Sequence, residues 1–161
     1  MTIMVQLSGL LFWLALCFIA AGIGAAASIS AGTFYTSLIR PGWSPPPYLF
    51  GPVWTVLYTM MAIAIWLVWR VDGFATSQTA CILFLLQLGV NALWSWIFFV
   101  WHRGAWAFVE ILLLWGLLIA TILAFWPISM LAALLMIPYL LWVSFAAGLS
   151  FTLWRLNPQI L

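Results

Sequence analysis

Residues 105–125 read AWAFVEILLLWGLLIATILAF, an apolar run broken by one ionisable side chain, Glu110. A helix rising 1.5 Å per residue needs ~20 such residues to cross ~30 Å of hydrocarbon. A barrel strand would be about 10 residues long with strict alternation, and this run does not alternate. The stretch is therefore read as a transmembrane helix. Four more runs of the same kind lie at residues 5–27, 50–69, 80–101 and 130–154.

The composition agrees. Hydrophobic residues make up 68% of the 161-residue chain and charged residues 4%. A water-soluble domain carries roughly a quarter charged residues and could not hide so much apolar surface. The sequence predicts an all-α integral membrane protein, one domain over residues 1–161, built as a bundle of five transmembrane helices. The first span is read as a retained helix rather than a cleaved leader, because no Lys or Arg precedes it. No internal repeat is visible, and five spans do not suit an inverted-repeat transporter.

The connections are short except for residues 28–49, which end in Pro41-Gly42-Trp43-Ser44-Pro45-Pro46-Pro47. That run cannot be regular helix. Loops this long in a compact protein are often functional, and this one is expected to fold over one end of the bundle as a lid. The loop's end of the bundle gathers Arg40, His102, Arg103 and Arg155, whereas the other has Arg70 beside Asp72. The positive-inside rule then makes the loop side and the C-terminus cytoplasmic and the N-terminus non-cytoplasmic.

Soluble-enzyme chemistry finds no foothold. No CxxC, HExxH or GxGxxG occurs. Cys17 and Cys81 lie inside apolar runs and read as small buried hydrophobes rather than disulfide or metal ligands. No metal site is expected. The net charge of +2 is too small and dispersed for nucleic acid.

Thirteen tryptophans are unusual. An interfacial belt accounts for Trp13, Trp69, Trp101, Trp126 and Trp154. Trp66 and Trp115 are open between lipid-facing and interhelical positions. For the rest, depth from the loop end is informative. At 1.5 Å per residue, Trp54 lies about 6 Å deep, Tyr58 about 12 Å, Trp94 about 10 Å and Asn91 about 15 Å. On the same scale Trp106 is shallow, Glu110 is about 8 Å deep, Ala146 about 12 Å and Trp142 about 18 Å. These residues cluster towards the loop side of the bilayer, with Trp142 near the midplane, which suggests an aromatic-lined cavity under a lid. Asn91 reads equally as a cavity-lining amide or as interhelical glue. Glu110 reads first as a structural partner of Arg103, Arg155 or a loop Arg, or as a protonated carboxyl bonded to a neighbouring helix. One carboxylate without a second acid or a His is not a catalytic set. Pro138 is expected to kink the last span.

Four motifs in order resemble the translocator protein family, also called TspO or tryptophan-rich sensory proteins. Trp43-Ser44-Pro45-Pro46 is similar to its W-x-P-P. Gly51-Pro52-Val53-Trp54-Thr55-Val56-Leu57-Tyr58 is similar to G-P-x-W-x-x-L-Y. Asn91-Ala92-Leu93-Trp94-Ser95 resembles N-x-x-W-S/T, and Pro138-Tyr139-Leu140-Leu141-Trp142 resembles P-Y-x-x-W. The resemblance implies a five-helix bundle, often a homodimer, and a bacterial membrane is the expected location. It implies a pocket for hydrophobic tetrapyrroles such as protoporphyrin IX and haem, and for benzodiazepine-type ligands, with no required cofactor. Carried over, the pocket residues are Tyr35, Trp43, Pro46, Trp54, Asn91, Trp94, Trp106, Trp142 and Ala146, and the depth argument adds Tyr58. Binding as receptor, sensor or carrier is the first reading. Light- and oxygen-dependent porphyrin degradation, with Trp54 and Trp142 redox-active, is the second, and transport of porphyrin or sterol the third. The sterol motif of some members needs a Tyr between Leu149 and Arg155, where this chain has Phe151.

Overall fold

The structure, a computed structural model, describes residues 2–75 and 77–161. Thr76, in the polar connection after the second span, and the side chain of Asp72 lie outside the described residues. Among the described residues six α-helices form: α1 (Ile3–Ala27), α2 (Ala31–Ser37), α3 (Phe50–Asp72), α4 (Gln78–Ser95), α5 (Gly104–Phe125) and α6 (Met130–Leu156). All except α2 are long and apolar enough to cross a membrane. The chain is thus a multi-pass membrane protein with five candidate spans, whose bounds fall within about three residues of those read from the apolar runs.

The five long helices close into a ring in the order α1, α3, α6, α5, α4 and back to α1. Consecutive helices α3 and α4 pack little against each other. They are tied across the interior by side chains instead, Asn91 Nδ2 donating to the Tyr58 hydroxyl at 2.7 Å and Gln87 Nε2 meeting Met61 Sδ at 4.0 Å.

Local sequence explains the close approaches. On α1, Gly9, Trp13, Cys17, Ala20, Gly24 and Ala27 form the buried stripe at helical spacing. At Gly9 the Trp69 ring of α3 lies so near that an added Cβ would stand 2.1 Å from its Cζ3. Trp13 faces this seam and is 1% exposed, packed edge-on to Phe84 at 5.9 Å. The belt reading of Trp13 is therefore corrected: it stands mid-helix on the buried stripe. Trp101 and Trp126 are exposed near helix ends. Trp66 and Trp115 are both interhelical, donating to the Gln6 carbonyl at 3.0 Å and to Ser144 Oγ at 2.9 Å.

Two features had no sequence signal. The last turn of α4 continues as a π-helical segment, Trp96–Val100, closed by Trp101 N–H on the Trp96 carbonyl at 2.9 Å. The long loop contains α2, and its Pro-rich half is non-helical up to a 3-10 turn at Pro47–Leu49. α6 runs through Pro138 without interruption. It starts on a Ser129 cap whose Oγ accepts from Ala132 N–H.

Buried apolar residues divide into two clusters. The larger fills the ring, with Trp13, Met61, Phe84, Leu114, Phe125, Met136 and Tyr139 among its members. The smaller lies under the loop, where Tyr35 and Leu38 meet Ile97, Phe98, Ala107, Leu149 and Leu153. Trp94 packs against both.

Candidate functional site: an aromatic strip beneath the first loop

The loop is held at two points. Tyr35, 4% exposed, donates its hydroxyl to the Pro45 carbonyl at 3.1 Å and closes residues 35–45 on themselves. The tie suits a Pro-rich segment, which has few backbone donors to offer. The second point is Asn157, just past α6. Its Oδ1 accepts from Ile39 N–H at 2.8 Å, and its Nδ2 donates to the Ile39 carbonyl at 2.9 Å and the Leu153 carbonyl at 2.8 Å. A 3-10 turn, Pro47–Leu49, then leads into α3.

Beneath the loop, aromatic rings form a continuous strip. Tyr35 meets Phe50 edge-on at 5.5 Å, Phe50 meets Trp142 at 6.0 Å, Trp142 meets Phe145 at 5.6 Å, and Phe145 meets Trp43 at 5.7 Å. Loop, α3 and α6 are thereby joined. Trp54, one turn into α3, contacts Tyr58 at 5.7 Å and Tyr139 of α6 at 6.0 Å. Trp54, Trp142 and Ala146 are half-buried, and Trp43 and Pro46 are exposed. Tyr58 and Asn91 are each 5% exposed and bonded to each other.

Of the residues expected at the site, Tyr35, Trp43 and Trp142 are linked through the strip by ring contacts, and Trp54, Tyr58 and Asn91 form a second linked group by a ring contact and a hydrogen bond. Two stand elsewhere. Trp94 turns towards the α4–α5 seam, stacked on Phe98 at 5.1 Å and donating to the Ala107 carbonyl at 3.1 Å. Trp106, 67% exposed, lies on the outer face of α5. It lines a groove of about 450 Å³ with Ile97, Trp101, Arg103, Val109, Glu110 and Leu113. A second cavity, about 590 Å³, lies between α2 and the end of α4. His102 lines it and stacks on Phe34 at 4.2 Å.

The charged groups are sparse. Glu110 is 8% exposed, and neither carboxylate oxygen has a hydrogen-bond partner among the described residues. The Arg partners expected for it are not formed there. The Tyr139 hydroxyl is likewise buried and unpartnered. Cys17 and Cys81 are free and buried. No group of three or more His, Cys, Asp or Glu side chains gathers among the described residues. The arrangement presents flat apolar faces and no acid–base pair.

Phe50 and Asn157 were not among the residues singled out from the sequence, and Tyr139 and Phe145, which stand in and beside the last motif, were not carried over to the pocket. Phe145 had a usable signal, its i,i+3 spacing from Trp142. Asn157 had only its position, a polar residue directly after the last apolar run.

A five-helix membrane bundle whose first loop caps a strip of aromatic rings defines a small multi-pass membrane protein with a loop-covered apolar site. The comparison with known sequences makes this specific: the profile of the TspO/MBR family matches residues 13–155, and the chain belongs to that family. It is 40% identical over 136 residues to Protein CrtK of Rhodobacter capsulatus, covering 82% of this chain and 83% of that protein. Tryptophan-rich protein TspO of Chlorobaculum tepidum is 42% identical over 132 residues, covering 80% and 82%. The human Translocator protein is 40% identical over 126 residues, covering 77% and 75%.

Proposed function

We propose that this protein is a membrane receptor or sensor that holds a flat hydrophobic tetrapyrrole, with protoporphyrin IX as the reference ligand, against the indoles of Trp54 and Trp142. Family membership supports the receptor or sensor role. The observation that carries the ligand class is the aromatic strip itself. The half-buried Trp142 indole and Phe50 stand beneath a loop tied down at both Tyr35 and Asn157, and the half-buried Trp54 lies one turn beyond Phe50 on α3. Aromatic faces bind a flat conjugated ring at low conformational cost, each good contact contributing about 0.5–1.5 kcal/mol. In this reading the loop end faces the cytoplasm, and the working form is a homodimer.

The test is a dark titration of the detergent-solubilised protein with protoporphyrin IX, followed by the porphyrin's own absorbance and emission. Trp142→Ala is expected to weaken binding about tenfold, equivalent to about 1.4 kcal/mol. Unsaturable binding, or equal affinity in the variant, would remove the ligand from this strip.

A second reading, light- and oxygen-dependent degradation of the porphyrin, is favoured by the contacts of Trp54 with Tyr58 and Tyr139, which set three oxidisable rings side by side. It requires illumination to bleach the bound porphyrin and requires Trp54→Phe with Trp142→Phe to abolish the bleaching while binding persists.

A further inference from the structure

Arg40 is exposed in the middle of the segment that Tyr35 closes onto Pro45, and its guanidinium stands over the Tyr35 ring, 5.1 Å from the centroid. Among the described residues no carboxylate pairs with it, and the Glu110 oxygens are buried without partners. The residue before it, Ile39, has both backbone polar groups engaged by one side chain, that of Asn157. Asn157 is 4% exposed, and its third bond, to the Leu153 carbonyl, fixes its rotamer to the end of α6. Its amide spends both donor hydrogens and its acceptor on this clamp.

We propose that Asn157 acts as a positioning residue that presents Arg40 as a carboxylate-receiving group at the edge of the aromatic strip, so that the site selects flat amphiphiles carrying a carboxylate on a short arm. The inference rests on the tetrapyrrole reading above. Three contacts link the cation to the strip: Arg40 to Tyr35, Tyr35 to Phe50, and Phe50 to Trp142. In this proposal a macrocycle lying against Trp142 turns its carboxylate edge along the strip towards Tyr35, the end at which Arg40 stands. The guanidinium fork matches a carboxylate with two parallel hydrogen bonds, which a Lys ammonium or a neutral amide does not reproduce. The clamp makes the interaction effective. An Arg on a free loop must be ordered when the ligand arrives, whereas here Ile39 and Tyr35 are ordered beforehand.

The experiment compares protoporphyrin IX with its dimethyl ester, which keeps the ring and removes both charges. Each is titrated in the dark into wild type, Arg40→Gln, Arg40→Lys, Asn157→Ala and the Arg40→Gln, Asn157→Ala double variant. The readout is the ratio of acid to ester affinity, which a general loss of folding or packing does not move. Wild type is expected to prefer the acid by roughly 5- to 10-fold. Arg40→Gln is expected to bring the ratio close to 1, with Arg40→Lys between. Asn157→Ala lowers the ratio, and adding it to Arg40→Gln lowers it no further, because Asn157 acts through Arg40.

Wild type binding both ligands equally would overturn the carboxylate subsite and leave the tetrapyrrole reading intact. Saturable binding of neither would overturn both. A ratio that survives Arg40→Gln would assign the carboxylate to another cation. A full ratio in Asn157→Ala would refute the positioning role. Should Asn157→Ala fail to fold, the exposed Arg40 variants and the salt dependence still decide the subsite: the acid's affinity must fall with ionic strength and the ester's must not.

Discussion

The bond between Tyr58 and Asn91 decides what Asn91 is for. At 2.7 Å, with both residues 5% exposed, it crosses the interior between two helices that otherwise pack little. Interhelical hydrogen bonds in membranes contribute about 0.6 kcal/mol on average and up to about 1.7. The short distance and the burial place this one near the upper end, at about 1.5 kcal/mol. Tyr58→Phe strands an amide donor and Asn91→Ala strands a hydroxyl, so each single change is expected to cost about 1–2 kcal/mol. The double variant should cost less than the sum of the singles by about 1–1.5 kcal/mol. Reversible unfolding in mixed micelles, as detergent is shifted towards SDS, measures all four proteins on one scale. Additivity to within about 0.3–0.5 kcal/mol would refute the reasoning. Asn91 would then be a ligand-facing amide, and Asn91→Ala alone would weaken porphyrin binding while Tyr58→Phe left it unchanged.

Two further outcomes follow from the packing. Gly9→Leu forces a branched side chain into the Trp69 ring and is expected to cost about 1–3 kcal/mol. Thermal unfolding in detergent should show a lower midpoint with porphyrin affinity retained, since Gly9 lies at the end of the bundle away from the loop; an unchanged midpoint would contradict the α1–α3 packing. Ser144→Ala removes the acceptor of Trp115 Nε1 on the α5–α6 seam. It should cost about 0.5–1 kcal/mol, with a shift in the emission of Trp115 as the check.

The spans were legible because apolar run length is a one-dimensional quantity that the bilayer thickness sets. Position along each helix was legible for most residues, since the rise per residue is fixed. Rotation about each helix axis was not. In a water-soluble bundle the polar face marks the outside, but here lipid and core are both apolar, so the sequence carries little azimuthal information. Trp13 and Trp106 illustrate the loss. Trp13 was read near a helix end and stands mid-helix, whereas Trp106 lies in the first turn of α5 as read. One proved to face the bundle and the other to face outward. The π-helical end of α4 was invisible because one extra residue per turn leaves no compositional mark. The aromatic strip was half legible: Trp43, Trp54 and Trp142 came from motifs, whereas Phe50 and Phe145 needed the packing of the loop against α3 and α6. Asn157 was hidden because its partner, the Ile39 backbone, is far away in sequence and carries no side-chain signature.

The division of the interior into two clusters has a consequence for motion. The ring of helices is filled by its own large core, and the loop is anchored by a small one that meets the large core through Trp94. Opening the loop exposes Tyr35 and Leu38 and breaks the Asn157 bonds, but it disturbs none of the contacts that close the ring. Local opening free energies follow the contacts that are lost, so the cap constitutes a unit of opening separate from the bundle. Backbone amides of residues 31–49 should exchange with solvent deuterium far sooner than those of the spans, and a molecule held under the cap should slow that exchange without altering the rest. On the proposed reading, the smaller core governs entry to the site and leaves the membrane-spanning frame closed.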